Sequence, residues 1–216
     1  MIEKYYTIND QGSSELIIQK SKFIGYANRV ETEKDAQDFI QNIKKKHYDA
    51  THNCSAYLIG DHDEIQKAND DGEPGGTAGV PILEVIKKRE LKYTAIVITR
   101  YFGGIKLGAG GLIRAYSSAA SQVVDETGII ERKLTQEFSI EVDYTFLDKI
   151  QNELKETDYI LHSTNFEEQV TLNILVDIGE EEIFKNWIIN ITSNQLKIFE
   201  KEKLYIENIM NLRSKK

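Results

Sequence analysis

Two glycine-rich segments carry the residue types that could bind an anion or support chemistry. They are DDGEPGGTAGVPIL (70–83) and TRYFGGIKLGAGGLIRAYSS (99–118), which hold nine of the 14 glycines and both prolines of the chain. The second segment also holds three cations, Arg100, Lys106 and Arg114, and the first holds three acids, Asp70, Asp71 and Glu73. Because backbone amides and cations beside a helix start can together bind an anion, the second segment predicts an anion site.

The glycines of the second segment stand directly before an apolar run that predicts a helix. Amides at a helix start lack intrahelical acceptors, and the helix dipole adds roughly half a positive charge there. An arginine near the first turn is therefore unfavourable unless an anion or an acid accompanies it. The ligand- or nucleic-acid-binding residues predicted here are Arg100, Tyr101, Lys106, Gly108, Gly110, Gly111, Arg114 and His52.

The acids of the first segment support a second interpretation of the same residues. Asp70, Asp71 and Glu73 are suitable ion-pair partners for Arg100 and Arg114, so the two segments could simply hold each other together. The sequence leaves both interpretations open.

Several kinds of chemistry are disfavoured. The run GGIKLGAGGLIR fits neither a P-loop nor a dinucleotide fingerprint, because its glycines have the wrong spacing. His52 and Cys54 would face the same side of a strand, but two ligands do not make a zinc site, and a Cys–His nucleophilic pair is an equally weak alternative. We therefore expect no metal and no cofactor, and we assign no catalytic residue.

Composition indicates a globular protein of the cytoplasm. The chain has 216 residues, 40% of them hydrophobic, and no apolar run reaches the roughly 18 residues needed to cross a bilayer. A single cysteine, Cys54, agrees with a reducing compartment. The net charge of −8 argues against a generally basic nucleic-acid binder, but residues 1–130 hold 16 Lys and Arg against 18 Asp and Glu. Any RNA site should therefore be a local basic groove in the first half.

The first half alternates short strands and amphipathic helices. Hydrophobic patterning predicts a hairpin (14–19 and 22–30), a helix capped by Thr32, and two strands (54–60 and 64–70). A helix follows at 77–90, with Thr77 as its expected N-cap, and then a buried strand at 93–102. A last helix at 112–127 is expected to end at Gly128.

The second half has a different order of elements. From 135 to 207 the pattern predicts β-α-β-β-α-β, the ferredoxin-like arrangement of two helices on one face of an antiparallel sheet. We therefore expect an α+β protein with domains at 1–132 and 135–207 and a polar tail at 208–216.

The strings KSKFIG (20–25), HNCSAY (52–57), DDGEPGGTAG, VPIL and TRYFGGIKLGAGGLIRAY closely resemble the YigZ/IMPACT family in its bacterial two-domain form. The resemblance implies a first α/β domain like ribosomal protein S5 domain 2. It implies a ferredoxin-like second domain similar to a C-terminal domain of elongation factor G. Eukaryotic members of the family are linked to control of translation initiation, and bacterial members are described as nucleic-acid-binding or translation-associated.

These observations predict a non-enzymatic regulator that binds RNA, the ribosome or translation factors through the first domain. One alternative is an enzyme that acts on a phosphorylated or carboxylated small molecule in the same cleft, with Asp70, Asp71 or Glu73 as a base or a metal ligand. Another is a protein-interaction module whose partner binds the more acidic second domain. No membrane partner is expected.

Overall fold

The structure, a computed structural model, describes residues 1–210. In chain order the elements of the first half are β1 (Lys4–Ile8), β2 (Gly12–Ile18), β3 (Ser21–Arg29), α1 (Glu33–Lys46), β4 (His52–Ile59), β5 (Ile65–Asn69), α2 (Gly79–Lys88), β6 (Thr94–Tyr101) and α3 (Gly108–Thr127). Those of the second half are β7 (Ile129–Val142), a 3-10 turn (Tyr144–Phe146), α4 (Leu147–Leu154), β8 (Ile160–Phe166), β9 (Val170–Asp177), α5 (Glu181–Thr192) and β10 (Leu196–Met210).

The chain separates into two compact units. The first consists mainly of Tyr5–Glu131, and the second of Arg132–Glu207 together with Ile2–Lys4. The short N-terminal segment joins the second unit through hydrogen bonds from Leu134 N to Glu3 O and from the Tyr205 hydroxyl to Ile2 O. None of the described helices is long and apolar enough to cross a membrane.

The first unit is built on a five-stranded antiparallel sheet in the order β2-β3-β6-β4-β5. Helices α2 and α3 cover one face and α1 covers the other. Since side chains alternate along a strand, β6 serves two cores: Ile96 and Ile98 pack on the α2–α3 side, and Ala95 and Val97 pack on the α1 side. This alternation decides which way the residues at the end of β6 point.

The second unit has the predicted β-α-β-β-α-β order. Strands β10, β7, β9 and β8 lie side by side in that order, which is the ferredoxin-like arrangement, and α4 and α5 pack on one face. Phe138, Phe184 and Trp187 stack in that core, so Trp187 is a packing residue. The predicted α+β class with an α/β unit followed by a ferredoxin-like unit is therefore confirmed.

Local predictions met different outcomes. Thr32 caps α1 in a capping box with Asp35, as expected, and Gly128 ends α3 with φ +88°. The predicted cap of α2 was wrong: the Thr77 hydroxyl donates to Pro74 O, and Ala78 holds the N-cap position.

Two segments were assigned wrongly at their ends. Helix α3 begins at Gly108, four residues before the predicted start, and β10 runs to Met210, so 208–210 form part of a strand. The rest of the predicted polar tail, 211–216, lies outside the described residues.

Candidate functional site

Strand register brings His52 and Arg100 together. They are directly paired residues of β4 and β6, and both follow the alternation that points Cys54 and Ile98 to the α2–α3 side of the sheet. Tyr101, one residue later, points to the opposite side, where its hydroxyl lies 2.9 Å from His47 Nδ1. The structure therefore does not bring Tyr101 into the predicted site, because consecutive strand residues face opposite sides.

A buried ion pair connects the two glycine-rich segments. Arg100 Nη1 lies 2.6 Å from Glu73 Oε1, with side-chain exposures of 6% and 4%. The Tyr116 hydroxyl, from α3, donates to the same oxygen at 2.8 Å. Arg100 also lies between the rings of Phe23 and Phe102, at 5.4 and 5.5 Å. A buried charge needs such a partner, because removing an unpaired ion from water costs on the order of several kcal/mol.

Asp70 does not pair with either arginine. Its Oδ1 accepts hydrogen bonds from Ala78 N and Gly79 N, and its Oδ2 accepts one from Gly76 N. Partial burial alone would raise the pKa of Asp70, but the three N–H donors outweigh it and lower this pKa. Asp70 therefore supplies the side-chain cap of α2 that Thr77 was expected to supply.

The Asp71 side chain forms its hydrogen bonds with residues of α1 and β4. Its carboxylate accepts from Lys44 Nζ and from Asn53 N, both at 2.6 Å. Of the three acids in the first segment, only Glu73 pairs with a cation of the second. The sequence-based ion-pair interpretation therefore applies to Arg100 and not to Arg114.

The start of α3 leaves backbone donors and two cations uncommitted. Leu107 holds the N-cap position and has no side chain that can accept a hydrogen bond, so the N–H groups of Gly108, Ala109 and Gly110 lack intrahelical acceptors. Gly111 is the fourth residue of α3, and its N–H is the first that α-helical geometry can direct to an intrahelical acceptor, the Leu107 carbonyl. Within residues 1–210, no ion pair or side-chain hydrogen bond is found for Lys106 or Arg114.

Lys106 and the first two residues of α3 line a cleft of about 450 Å³. Its polar lining includes His52, Glu73, Arg100, Lys106 and Gly108, and its apolar lining includes Pro74, Phe102, Leu107, Ala109 and Leu112. Arg114 and Gly110 do not line it; they lie close to each other on α3, where Arg114 Nη1 would be 3.6 Å from a Cβ on Gly110. Phe102 is 46% exposed and offers a ring face at the cleft.

His52 is held in one orientation. Its Nδ1 lies 2.8 Å from the Asp71 carbonyl oxygen, which can only accept, so Nδ1 carries the hydrogen and Nε2 of the neutral ring is an acceptor. Nε2 lies 3.9 Å from Glu73 Oε2. The cleft thus contains two hydrogen-bond acceptors beside its positive groups.

Cys54 is buried on β4, two residues after His52. Burial raises the pKa of its thiol to about 12, and Sγ contacts the Asp70 carbonyl and the Tyr116 hydroxyl. The thiol therefore stays protonated at neutral pH and is a poor nucleophile. In the part of the chain that the structure describes, no three His, Cys, Asp or Glu side chains are arranged to hold a metal ion.

The sequence did not assign Tyr116, Ser21 or Thr51 to the site. Ser21 Oγ accepts from Arg100 Nη2 and from Gly103 N, and Thr51 Oγ1 accepts from Phe102 N. The one available signal was the spacing of Tyr116 and Leu112, which puts both on the same face of α3.

The two units define a two-domain α+β protein, and comparison with known proteins gives its family. Two family models match: the Impact N-terminal domain over residues 19–124 and a Domain of unknown function (DUF1949) over residues 140–195. The chain is 51% identical to IMPACT family member YvyE of Bacillus subtilis, over 98% of this chain and 97% of that protein. It therefore belongs to the IMPACT family.

Two further comparisons cover different extents of the chain. The chain is 42% identical to a Protein IMPACT homolog of Dictyostelium discoideum, over 42% of this chain and 27% of that protein. A solved structure described as that of a hypothetical protein matches with a TM-score of 0.60 and 25% identity, and covers 94% of this chain and 99% of its own. The similarity to the bacterial relative and to the solved structure thus extends over both units.

Proposed function

We propose that this protein is a translation-associated regulator that binds RNA phosphates at the start of α3. The observation that carries the proposal is that Lys106 and Arg114 have no acidic partner within residues 1–210, beside amides that also lack acceptors. Lys106 stands directly before the N-cap of α3, so it is an unpaired cation at the positive end of the helix dipole, which favours an anionic ligand. Arg114, the seventh residue of α3, adds positive charge in the second turn. Membership of the IMPACT family supports a role in translation, because eukaryotic members of the family that the sequence motifs resemble are linked to control of translation initiation.

RNA suits this site better than an unspecified anion does. The exposed ring of Phe102 lies beside Lys106 in the lining of the cleft, and an aromatic face next to cations is typical of single-strand RNA recognition. The net charge of −8 does not oppose this, because affinity depends on the phosphates that local cations neutralise.

The enzymatic alternative requires an acid that is free to act as a base. Asp70 accepts three backbone amides, Asp71 pairs with Lys44, and Glu73 pairs with Arg100. Each of these acids has a structural partner in the described chain, so the proposal assigns binding and no catalysis to this cleft.

The test is binding of single-stranded and structured RNA at two salt concentrations. Lys106→Glu and Arg114→Glu should each weaken binding and reduce the slope of log K against log salt by about 1. Lys88→Glu is the matched control, because Lys88 is an exposed lysine of α2 that does not line the cleft. RNA binding that depends neither on salt nor on Lys106 and Arg114 would refute the proposal.

A further inference from the structure

We infer that the cleft receives a nucleobase and selects one that carries an exocyclic amino group. The inference rests on the proposed function, since it names the part of the RNA that enters the cleft while phosphates bind near Lys106. Adenine, cytosine and guanine carry an exocyclic amino group, and uracil carries none.

The lining of the cleft holds a carboxylate oxygen that lacks a hydrogen-bond donor. Glu73 is only 8% exposed, and its Oε1 accepts from both Arg100 and Tyr116. Glu73 Oε2 accepts no hydrogen bond within residues 1–210, yet it is not enclosed in the protein interior as Arg100 Nε is. A nearly buried acceptor of this kind calls for a donor. Because Glu73 lines the cleft, a ligand in the cleft can supply it.

A second acceptor lies beside this oxygen. His52 Nε2 is 3.9 Å from Glu73 Oε2, which is too far for a hydrogen bond between them. The neutral His52 ring carries its hydrogen on Nδ1, which donates to the Asp71 carbonyl, so Nε2 is free to accept. One nitrogen of a ligand can lie about 2.9 Å, a normal hydrogen-bond length, from both acceptors. An amino group has two hydrogens and can therefore donate to both.

The charges of the cleft favour a neutral donor over a cation. Arg100 Nη1 lies 2.6 Å from Glu73 Oε1, so the negative charge of Glu73 is already balanced. Lys106 lines the same cleft and has no acidic partner among the described residues. An ammonium or guanidinium group that entered the cleft would be repelled by Lys106 without a net negative charge to attract it. The amino group of a base is an uncharged donor and avoids this repulsion.

The apolar part of the lining favours a flat aromatic ligand. Phe102, Leu107 and Leu112 line the cleft, and Phe102 is 46% exposed. Every base has a face that can stack on an aromatic ring. The volume of about 450 Å³ lies in the range of small-ligand pockets, roughly 300–1,000 Å³. Stacking on Phe102 therefore contributes affinity for any base, and the two acceptors contribute the selection.

Uracil does not satisfy these acceptors. It presents a carbonyl oxygen at the position where cytosine presents its amino group. A carbonyl oxygen beside the Glu73 carboxylate would be repelled and would leave both acceptors of the cleft unpaired. Glu73 and His52 are thus the residues that determine specificity.

The experiment compares three single-stranded RNAs of equal length. One consists of adenines, one has unsubstituted purine in place of each adenine, and one consists of uracils. Purine lacks only the amino group and keeps the stacking surface. The adenine RNA should bind about tenfold or more tightly than either of the others, as expected for hydrogen bonds to a charged acceptor. This ratio should be the same at two salt concentrations, because contacts to bases release no counterions.

Two variants assign the selection to the acceptors. Glu73→Gln can keep an oxygen towards Arg100 and Tyr116, which puts an amide N–H₂ in the place of Oε2. It should lose the preference for adenine and should bind the uracil RNA more tightly than wild type does. His52→Phe removes the second acceptor and should reduce the ratio of adenine to purine affinity, which covers the case in which Glu73→Gln does not fold.

Two further variants serve as controls. His62→Phe makes the same change at an exposed histidine that does not line the cleft, and it should leave the ratio unchanged. Phe102→Leu should weaken binding of the adenine and purine RNAs by the same factor, because stacking does not depend on the amino group.

The outcomes separate this inference from the proposed function. Equal affinity for the adenine and purine RNAs, together with salt dependence and loss on Lys106→Glu, would overturn the inference and leave RNA binding intact. If no RNA binds, adenosine and purine riboside become the probes. A preference for adenosine that is lost on His52→Phe would then support the base site and overturn the RNA proposal, and equal or absent binding of the two nucleosides would overturn both.

Two other results would contradict the inference. A preference for adenine that survives both Glu73→Gln and His52→Phe would place the selection outside this cleft. A lysine-containing peptide that binds more tightly than every RNA, and loses affinity on His52→Phe, would assign the acceptors to a protein partner.

Discussion

Arg100 Nη1 lies 2.6 Å from Glu73 Oε1, and this buried pair joins the end of β6 to the loop that precedes α2. Ser21 and Tyr116 complete its hydrogen bonds from β3 and α3. This ion pair and its hydrogen bonds thus connect β3, β6, α3 and the loop before α2 in the lining of the cleft. Any ligand that enters the cleft meets a surface whose charges are already balanced.

We expect strong energetic coupling between these two residues. Arg100→Met leaves the Glu73 carboxylate buried without its cation and should cost about 3–5 kcal/mol, and Glu73→Gln should cost a similar amount because it leaves the guanidinium unpaired. The double variant removes both charges and should cost much less than the sum. Urea unfolding of the four proteins measures this coupling, and strictly additive losses would contradict it.

The Asp70 carboxylate should stabilise the first unit as the cap of α2. Asp70→Ala removes the acceptor for three backbone amides and should cost about 1–2 kcal/mol. Because the pKa of Asp70 is lowered in the folded state, its contribution is present above its ordinary value of 3.8 and is lost as the pH falls through the lowered value.

Unfolding of wild type and Asp70→Asn at pH 6 and at pH 3 tests this sign. The difference in free energy of unfolding between the two proteins should be smaller at pH 3, where the wild-type carboxyl loses its advantage. A difference that stays constant or grows on acidification would show that the carboxylate does not act as this cap.

Apart from β1, the strands and helices and their order could be predicted from the sequence, but the partners of the site residues could not. Periodicity places a strand at 93–102 and a helix after the second glycine-rich segment, since it depends only on neighbouring residues. Three acids were equally available to Arg100, and only the folded turn, in which Asp70 accepts α2 amides, leaves Glu73 for the pair. That choice depends on contacts between segments far apart in the chain.

Two errors had different causes. Tyr101 could have been excluded from the cleft, because it follows Arg100 on a strand and must face the other side. Strand β1 could not be predicted from the local sequence, because it is only five residues long and pairs with β7, more than a hundred residues later in the chain.

Adjacent glycines in the second segment should respond differently to substitution. A Cβ on Gly103 would lie 2.0 Å from the carbonyl carbon and oxygen of Lys20, so Gly103→Ala must displace the β2–β3 turn. Gly104 has open space around it but φ +85°, so Gly104→Ala should cost only about 1–2 kcal/mol of backbone strain.

Thermal or urea unfolding distinguishes the two causes. Gly104→Asn should be tolerated better than Gly104→Ala, because asparagine adopts left-handed backbone more readily. Gly103→Ser should be as damaging as Gly103→Ala, since any Cβ meets the same backbone. Equal, mild losses for all four variants would mean that the close approach to Lys20 is not required.

His47 should make stability depend on pH near neutrality. Its ring is buried between two tyrosines, with Nε2 2.7 Å from the Tyr26 hydroxyl and Nδ1 2.9 Å from the Tyr101 hydroxyl. Burial, followed by the charge of Lys46, lowers the pKa of His47 below its ordinary value of 6.5, although Asp49 partly opposes this.

A lowered pKa in the folded state means that the unfolded chain takes up the proton first. The contribution of His47 is therefore fully present above pH 6.5 and is lost as the pH falls through the folded value. His47→Gln keeps polar groups for both tyrosines but cannot titrate, so the difference in free energy of unfolding from wild type should shrink between pH 7.5 and pH 5. Tyr101→Phe, which leaves the histidine in place, should preserve the pH dependence of the wild type. A His47→Gln variant that loses stability on acidification as steeply as wild type would show that another group is responsible.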